Sequence, residues 1–325
     1  MLWNRAITQI QEISAVISIL GKLLLILLII TKSPRQLGSY KYLMIYISTF
    51  EIIYSIVDVI VKPIIVSHDS IFICISKNFS LPKEISSYLI LIWTGFFGSF
   101  LGFFEIQFIY RYLVACRSKV LNTFNDKRIF LWMMFPATVG IFWGSINNFF
   151  FRHNPRINRD IKSLVLEEYN WDIEKVVYIG ENLYEPSENG GVQINKKCLI
   201  GIIIVWTIIN ISILTVSFFA IKCYLKIHSE FKGSIKLNHL QHQLFYALVT
   251  QTLIPFILMH LPASIIFFST MFNLNLGNSS SIAAISFAIF PALDPLPVIL
   301  IIKNYRNAVA NVVTTRVLMI SKKKP

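Results

Sequence analysis

Apolar residues in this chain fall into seven blocks, separated by stretches rich in Lys, Arg, Ser and Asn. Each block supplies the roughly 20 residues that a helix needs to cross about 30 Å of hydrocarbon. They run from about Ile10 to Ile30, Tyr42 to Ile65, Ser87 to Tyr112, Ile129 to Phe151, Cys198 to Tyr224, Leu244 to Thr270, and Ser281 to Ile302. Inside hydrocarbon, backbone amides find partners only in helices or closed barrels, and no period-two alternation recurs at barrel spacing. The pattern therefore predicts an all-α membrane protein built as a seven-transmembrane helix bundle. Residues 1–302 form its body, 152–197 a long outer loop, and 303–325 a basic tail.

Composition supports this reading and charge orients it. Hydrophobic residues make up 55% of the 325 and charged ones 14%, too little polar surface to cover a soluble domain of this length. The formal net charge of +13 would suggest a nucleic-acid partner in a soluble protein, but here the cations lie between apolar blocks and track topology. One side carries Lys32, Arg35, Lys41, Arg111, Arg117, Lys119, Lys127, Arg128, Lys222, Lys226, Lys232, Lys236, Lys303, Arg306, Arg316 and Lys322 to Lys324. The acids there are Asp126 and Glu230. The opposite side balances its cations with as many acids. By the positive-inside rule the first set is cytoplasmic and the N-terminus extracellular. The first block is too long for a signal-peptide core and lacks a small-residue cleavage site after it, so no cleavable leader is expected.

The 152–197 segment holds Tyr169, Trp171, Tyr178 and Tyr184 among many charges, with a turn-rich SENGG stretch at Ser187 to Gly191. It is expected to cover the mouth of the bundle as a lid, because those aromatics need packing partners; a disordered loop is the alternative. From Lys303 to Ile320, basic residues alternate with Val309, Val312, Val313, Val317 and Leu318. That spacing predicts a short amphipathic helix on the anionic inner leaflet.

Several motifs resemble the nematode serpentine chemoreceptors of the Str type, and the likeness covers nearly the whole chain. It lies in TKSP (Thr31 to Pro34), LGSYKYLMIY (Leu37 to Tyr46), FIYRY (Phe108 to Tyr112) and IKCYLKI (Ile221 to Ile227). It continues in LQHQLFYALVTQTLIPFILMHLP (Leu240 to Pro262) and FPALDPLPVILIIKNYR (Phe290 to Arg306). The resemblance implies a rhodopsin-like G-protein-coupled receptor architecture. It further implies small environmental molecules, volatile ones included, as ligands, a heterotrimeric G protein as partner, and the plasma membrane, usually of sensory cilia, as location. No cofactor, metal or nucleic acid is implied.

Under that resemblance, Tyr110-Arg111-Tyr112 closes the third helix where rhodopsin-like receptors place an acid-Arg-Tyr triplet. Tyr110 replaces the acid, so no adjacent carboxylate holds the arginine and a different lock is implied. Glu105, six residues earlier, lies on roughly the opposite face. Arg111 reads either as a positive-inside anchor or as a G-protein contact, and the resemblance favours the second. Pro255, with Pro262 in the sixth helix, and Pro291, Pro295 and Pro297 in the seventh, bend their helices. Asp294-Pro295 stands in the region of the Asn-Pro motif of such receptors, with Tyr305 later than its usual tyrosine.

Counting 1.5 Å per residue from the cytoplasmic ends, Lys22, Glu51 and Asp294 all lie roughly 12 to 15 Å deep on three helices that are neighbours in a receptor bundle. Charges at that depth need partners, so the three are expected to cluster; the alternative is a snorkelling Lys22 with protonated carboxylates. The family more often carries Asn at the position of Lys22, and an ammonium there would occupy the place where related receptors can hold a cation. Asp58, seven residues after Glu51, shares its face and lines either the ligand cavity or a hydrated structural site. Trp93, Phe96, Phe97, Trp206, Phe267 and Phe268 offer an aromatic pocket for a small apolar ligand, or packing and lipid contacts.

Asn78-Phe79-Ser80 fits the glycan acceptor pattern in the first outer loop; Asn278-Ser279-Ser280 fits it too close to the bilayer, and Asn210-Ile211-Ser212 lies within the fifth helix. The four cysteines show no CxxC spacing, which excludes a metal cluster and a disulfide scaffold. Cys74 and Cys198 are those on the oxidising side, so a bridge between them is open, although the third helix lacks the usual receptor cysteine around Ser86 to Tyr88. A transporter would show two matching halves, a seven-helix ligand-gated channel of the insect odorant type would place its N-terminus inside, and no HExxH, GxSxG or catalytic aspartate pair marks an enzyme.

Overall fold

The computed structural model describes residues 2–124, 127–152, 158, 161–162, 165–166, 171–186, 191–230 and 235–321. Seven helices among them are long and apolar enough to cross a membrane. They are α1 (Leu2–Lys32), α2 (Tyr40–Val61), α3 (Lys83–Ala115), α4 (Ile129–Phe150) and α5 (Lys196–Glu230). The sixth, α6, joins Ile235–Pro255, a π turn at Phe256–His260, and Leu261–Met271. The seventh, α7, joins Ser281–Leu293 to Pro295–Ile301. An eighth helix, α8 (Lys303–Ser321), follows on the cytoplasmic side. Asp126, Tyr169, residues 187–190, Lys232 and Lys322 to Lys324 lie outside the described residues, as do the side chains of Lys236, Asn278, Val313, Arg316, Val317 and Leu318.

Most boundaries extend beyond the apolar blocks, because polar first and last turns continue a helix into the headgroup region. The fourth and seventh helices match their blocks to within one residue, and the second ends well short of its block. It stops at Val61 and not at Ile65, since Lys62 adopts a left-handed φ of 49° and Pro63 follows it. The chain then turns into a hairpin that the sequence reading did not anticipate, β1 (Pro63–His68) and β2 (Ile71–Ser76). Part of the long outer segment, β3 (Val177–Asn182), adds antiparallel to β2, and β4 (Tyr184–Pro186) pairs with β5 (Val192–Ile194).

Alternation splits this small sheet into two apolar faces. Ile64, Val66, Ile71, Ile73, Ile75 and Tyr178 pack with Ile161, Val165, Ile173 and Val176 in a separate outer core, against which Trp171 also lies. Ile65, Phe72, Cys74 and Ile179 point the other way, onto the bundle. Hydroxyls fasten the two sheets to α6 and to the start of α7. Ser67 N–H donates to Ser280 Oγ at 3.1 Å, Ser280 Oγ donates to the Ile65 carbonyl at 3.1 Å, and Tyr184 donates to the Met271 carbonyl at 2.9 Å. Gly180 takes φ 152° and donates its N–H to the Phe151 carbonyl at 2.8 Å; a Cβ here would come within 2.6 Å of Ile73 Cα.

The centre of the bundle is α3, the span with the largest buried share. Gly98 lets it approach α4 so closely that a Cβ would meet Trp143 Cβ at 2.6 Å, the small-residue packing that membrane helices use where no hydrophobic drive exists between them. Toward α2 and α7, Phe50, Tyr54, Phe96, Phe100, Phe103 and Phe290 form edge-to-face pairs.

If the sheet is built as described, Gly180→Ala combines a positive φ with backbone collision. It should cost about 1 to 3 kcal/mol and lower the melting temperature of the purified protein. An unchanged melting curve would mean that β3 pairs elsewhere.

Candidate functional site

Asp294 occupies the break in α7, between Leu293 and Pro295. Pro295 packs its ring 3.2 Å from where a Cβ on Gly21 would stand, so α1 and α7 come close enough for neighbouring side chains to meet. The structure brings Lys22, Glu51 and Asp294 together. The Lys22 ammonium donates a hydrogen bond to Asp294 Oδ2 and forms an ion pair with Glu51. All three are buried, with Lys22 wholly inaccessible. A fourth member was not foreseen: Gln251 of α6 donates from Nε2 to the same Asp294 Oδ2 at 2.9 Å. It lies four residues, about one turn, before Pro255 and so on the same face as the proline. One polar chain thus ties α2, α1, α7 and α6 together.

The prolines above it act as expected of residues without an N–H. Pro291 leaves the Phe287 carbonyl free, and Tyr54 donates to that oxygen at 3.3 Å. In α6 the backbone N–H of Leu261 reaches back five residues to the Phe256 carbonyl, and this wider turn accommodates the ring of Pro262.

At the cytoplasmic end, Arg111 is 3% exposed and lies flat on Tyr40, 3.6 Å from its ring centre. Its Nε and one terminal nitrogen have no hydrogen-bond partner. Tyr110, which stands in place of the acid, stacks on the same Tyr40 at 5.2 Å and meets Phe124 edge-on. Aromatic faces therefore hold the guanidinium where a carboxylate would otherwise. Tyr112 turns away to Phe219 of α5, and Glu105 bonds Ser212 of α5 and not Arg111. Tyr305 is buried with its hydroxyl 2.7 Å from Ser33 Oγ; burial pushes its phenol above the ordinary value and the Ser33 bond opposes this.

Beneath the sheet, at the outer end, lies a small, mostly apolar cavity of about 90 Å³. Trp93, Phe97 and Phe267 line it, together with residues that the sequence reading missed: Phe72 and Ile179 from the sheet, Trp143, Asn147 and Phe151 from the α4 region, and Phe287 of α7. Thr94 and Asn147 donate their side-chain protons to carbonyls of their own helices, Leu91 and Trp143. The walls thus present mainly rings and methyl groups.

Other expected members are placed elsewhere. Asp58 does not line the cavity but stands behind it, accepting from Trp93 Nε1 at 2.8 Å. Phe96 packs between Phe50 and Tyr54, because its helical position faces α2. Trp206 is half-buried on α5 beside Ile203, Ile211 and Leu214, with its Nε1 shielded and unpartnered, and Phe268 is exposed. Asn78 is half-buried, with Nδ2 donating to the Ile60 carbonyl at 2.8 Å.

The bridge considered between Cys74 and Cys198 is not formed, and both are free thiols. Cys74 is held in β2 opposite Ile65 and Ile179 and looks into the cavity, whereas Cys198 is fixed at the start of α5 by its N–H on Asn195 Oδ1. Burial first, and then the carboxylate of Asp58, pushes the Cys74 thiol up and keeps it unreactive.

Comparison with known proteins agrees with this architecture. Residues 7–310 match the family model described as serpentine type 7TM GPCR chemoreceptor Str. The chain is 34% identical to G-protein coupled receptor str-217 of Caenorhabditis elegans over 92% of its own length and 87% of that protein's. It is 28% identical to serpentine receptor class r-10 of the same nematode, over 95% and 91% of the two chains. Its identity to serpentine receptor class r-10 of Caenorhabditis briggsae is 27%, over 88% and 84%. A bundle of seven membrane-crossing helices with this family match along nearly its whole length is a chemosensory G-protein-coupled receptor, and the chain belongs to the serpentine Str family.

Proposed function

We propose that this receptor detects a small, uncharged, largely apolar environmental molecule in the cavity under the β1–β2–β3 sheet, and that it passes the signal to a heterotrimeric G protein at the cytoplasmic end around Arg111. The observation that carries the reading is the Glu51, Lys22, Asp294, Gln251 chain, which lies between those two ends. Phe267 of the cavity wall and Gln251 of the polar chain sit on opposite sides of the Pro255 kink in α6. A ligand that shifts the outer part of α6 therefore acts on the bond between Gln251 and Asp294. Breaking that bond frees the inner half of α6 to move outward, the change that opens a G-protein site. Arg111, buried with unpartnered N–H groups, is then available to carbonyls of the inserted partner. We place the receptor in the plasma membrane, with the sensory cilium as the site that fits its family. A binding and signalling role without catalysis accounts for all of these residues.

The deciding experiment is expression in a reporter cell, with a screen of volatile and water-soluble compounds for a G-protein response. A compound that activates the native receptor should lose its response in Arg111→Ala at equal surface expression. A response preserved in that variant would move coupling away from Arg111.

Truncating Lys22 to Met leaves Glu51 and Asp294 buried without their cation, a loss of about 3 to 5 kcal/mol for a broken buried pair. Folded surface yield should fall steeply and should recover when Glu51→Gln and Asp294→Asn are added. Unchanged yield and signalling in the single variant would show that the lysine carries no such burden.

Gln251→Leu removes one neutral-to-charged hydrogen bond, about 1.5 to 3 kcal/mol in typical cases. Ligand-independent reporter output should rise severalfold. An output at or below the native level would contradict the latch.

A further inference from the structure

A second cavity of about 220 Å³ opens between α3, α5 and α6, separate from the space under the sheet. Leu101 and Phe104 form its α3 wall, and its rim is made by Ile213, Leu253 and Phe256, all exposed on the perimeter where lipid lies. Its floor is polar. His260, the last residue of the π turn, is 4% exposed, lines this cavity, and its Nε2 has no hydrogen-bond partner. None of the described lining residues carries a formal charge.

An apolar mouth facing hydrocarbon admits molecules that partition into the bilayer. The unmatched nitrogen at the bottom then favours one polar atom on the end of an apolar body, because a buried imidazole nitrogen without a partner is costly. A neutral imidazole presents either a donor or an acceptor at Nε2, and a hydroxyl satisfies both cases. We propose that this cavity is a second ligand site of the receptor, entered from the membrane, which takes a hydroxyl-headed apolar molecule by hydrogen bonding to His260. The ligand is an environmental alkanol dissolved in the bilayer or a membrane sterol, since both carry that chemistry. Because the site adjoins the π turn, its occupant stiffens the segment of α6 that bends, independently of what fills the outer cavity.

The test uses the full-length receptor in phosphatidylcholine nanodiscs, photolabelled with a diazirine-bearing octanol and mapped by peptide mass spectrometry. Labels are expected at the α5 and α6 rim, on peptides holding Ile213, Leu253 and Phe256. Competition by 1-octanol, with octane ineffective, supports the site, and a parallel arm with cholesterol tells the two sources apart. His260→Phe should lower specific labelling about tenfold, the loss expected for one buried hydrogen bond. Leu253→Trp fills the mouth from the exposed side and should also block labelling, which keeps the test decisive should the histidine variant fold poorly. Labelling that survives both substitutions, that octane displaces equally well, or that spreads evenly around the helix perimeter overturns the proposal. No signalling readout enters, so failure here leaves the outer-cavity reading standing.

Discussion

An ammonium group in hydrocarbon is costly, and the burial of Lys22 constrains much of this bundle. The charge tolerates its depth only because two carboxylates from different helices reach it, which requires α1, α2 and α7 to hold a fixed distance and rotation. Gly21 and the break at Asp294 follow from that requirement, the first by letting Pro295 approach and the second by aiming the carboxylate inward. Gln251 then enters through the remaining capacity of Asp294 Oδ2, so the helix whose movement we propose as the signal is attached to this buried polar cluster.

The outer end is organised by a different force. There the backbone leaves the hydrocarbon and pairs strand to strand, and alternation divides the side chains between two apolar layers. Phe72, Cys74 and Ile179 belong simultaneously to the sheet and to the cavity roof. Movement of the roof and reshaping of the cavity are therefore one event, and hydroxyl contacts from Ser280 and Tyr184 tie that event to α6 and α7.

Helix number and orientation were legible because a membrane imposes them through length and charge alone, as the blocks from Ile10 to Ile302 show. The depth of Lys22, Glu51 and Asp294 could be counted, since helical rise is constant. Gln251 escaped notice because the count of depth considered only ionisable side chains, and a neutral amide needs no ionic partner. The hairpin was missed although Ile71 to Ser76 alternates, since every side chain there except the serine is apolar and a search for polar and apolar alternation passes over it. Trp206 and Phe96 lie outside the cavity for another reason. Aromatic residues face lipid and core alike, and which way a helix turns them is decided by its neighbours.

The π turn at Phe256–His260 sets the angular phase of α6. It contains one residue more than a regular turn, so the part of α6 beyond it is rotated by about 100° relative to an uninterrupted α-helix. Phe267 meets the cavity and Gln251 meets Asp294 in the same helix only because of that offset. Were the extra residue absorbed into the regular spiral, the two contacts would fall out of step, and one of them would have to let go.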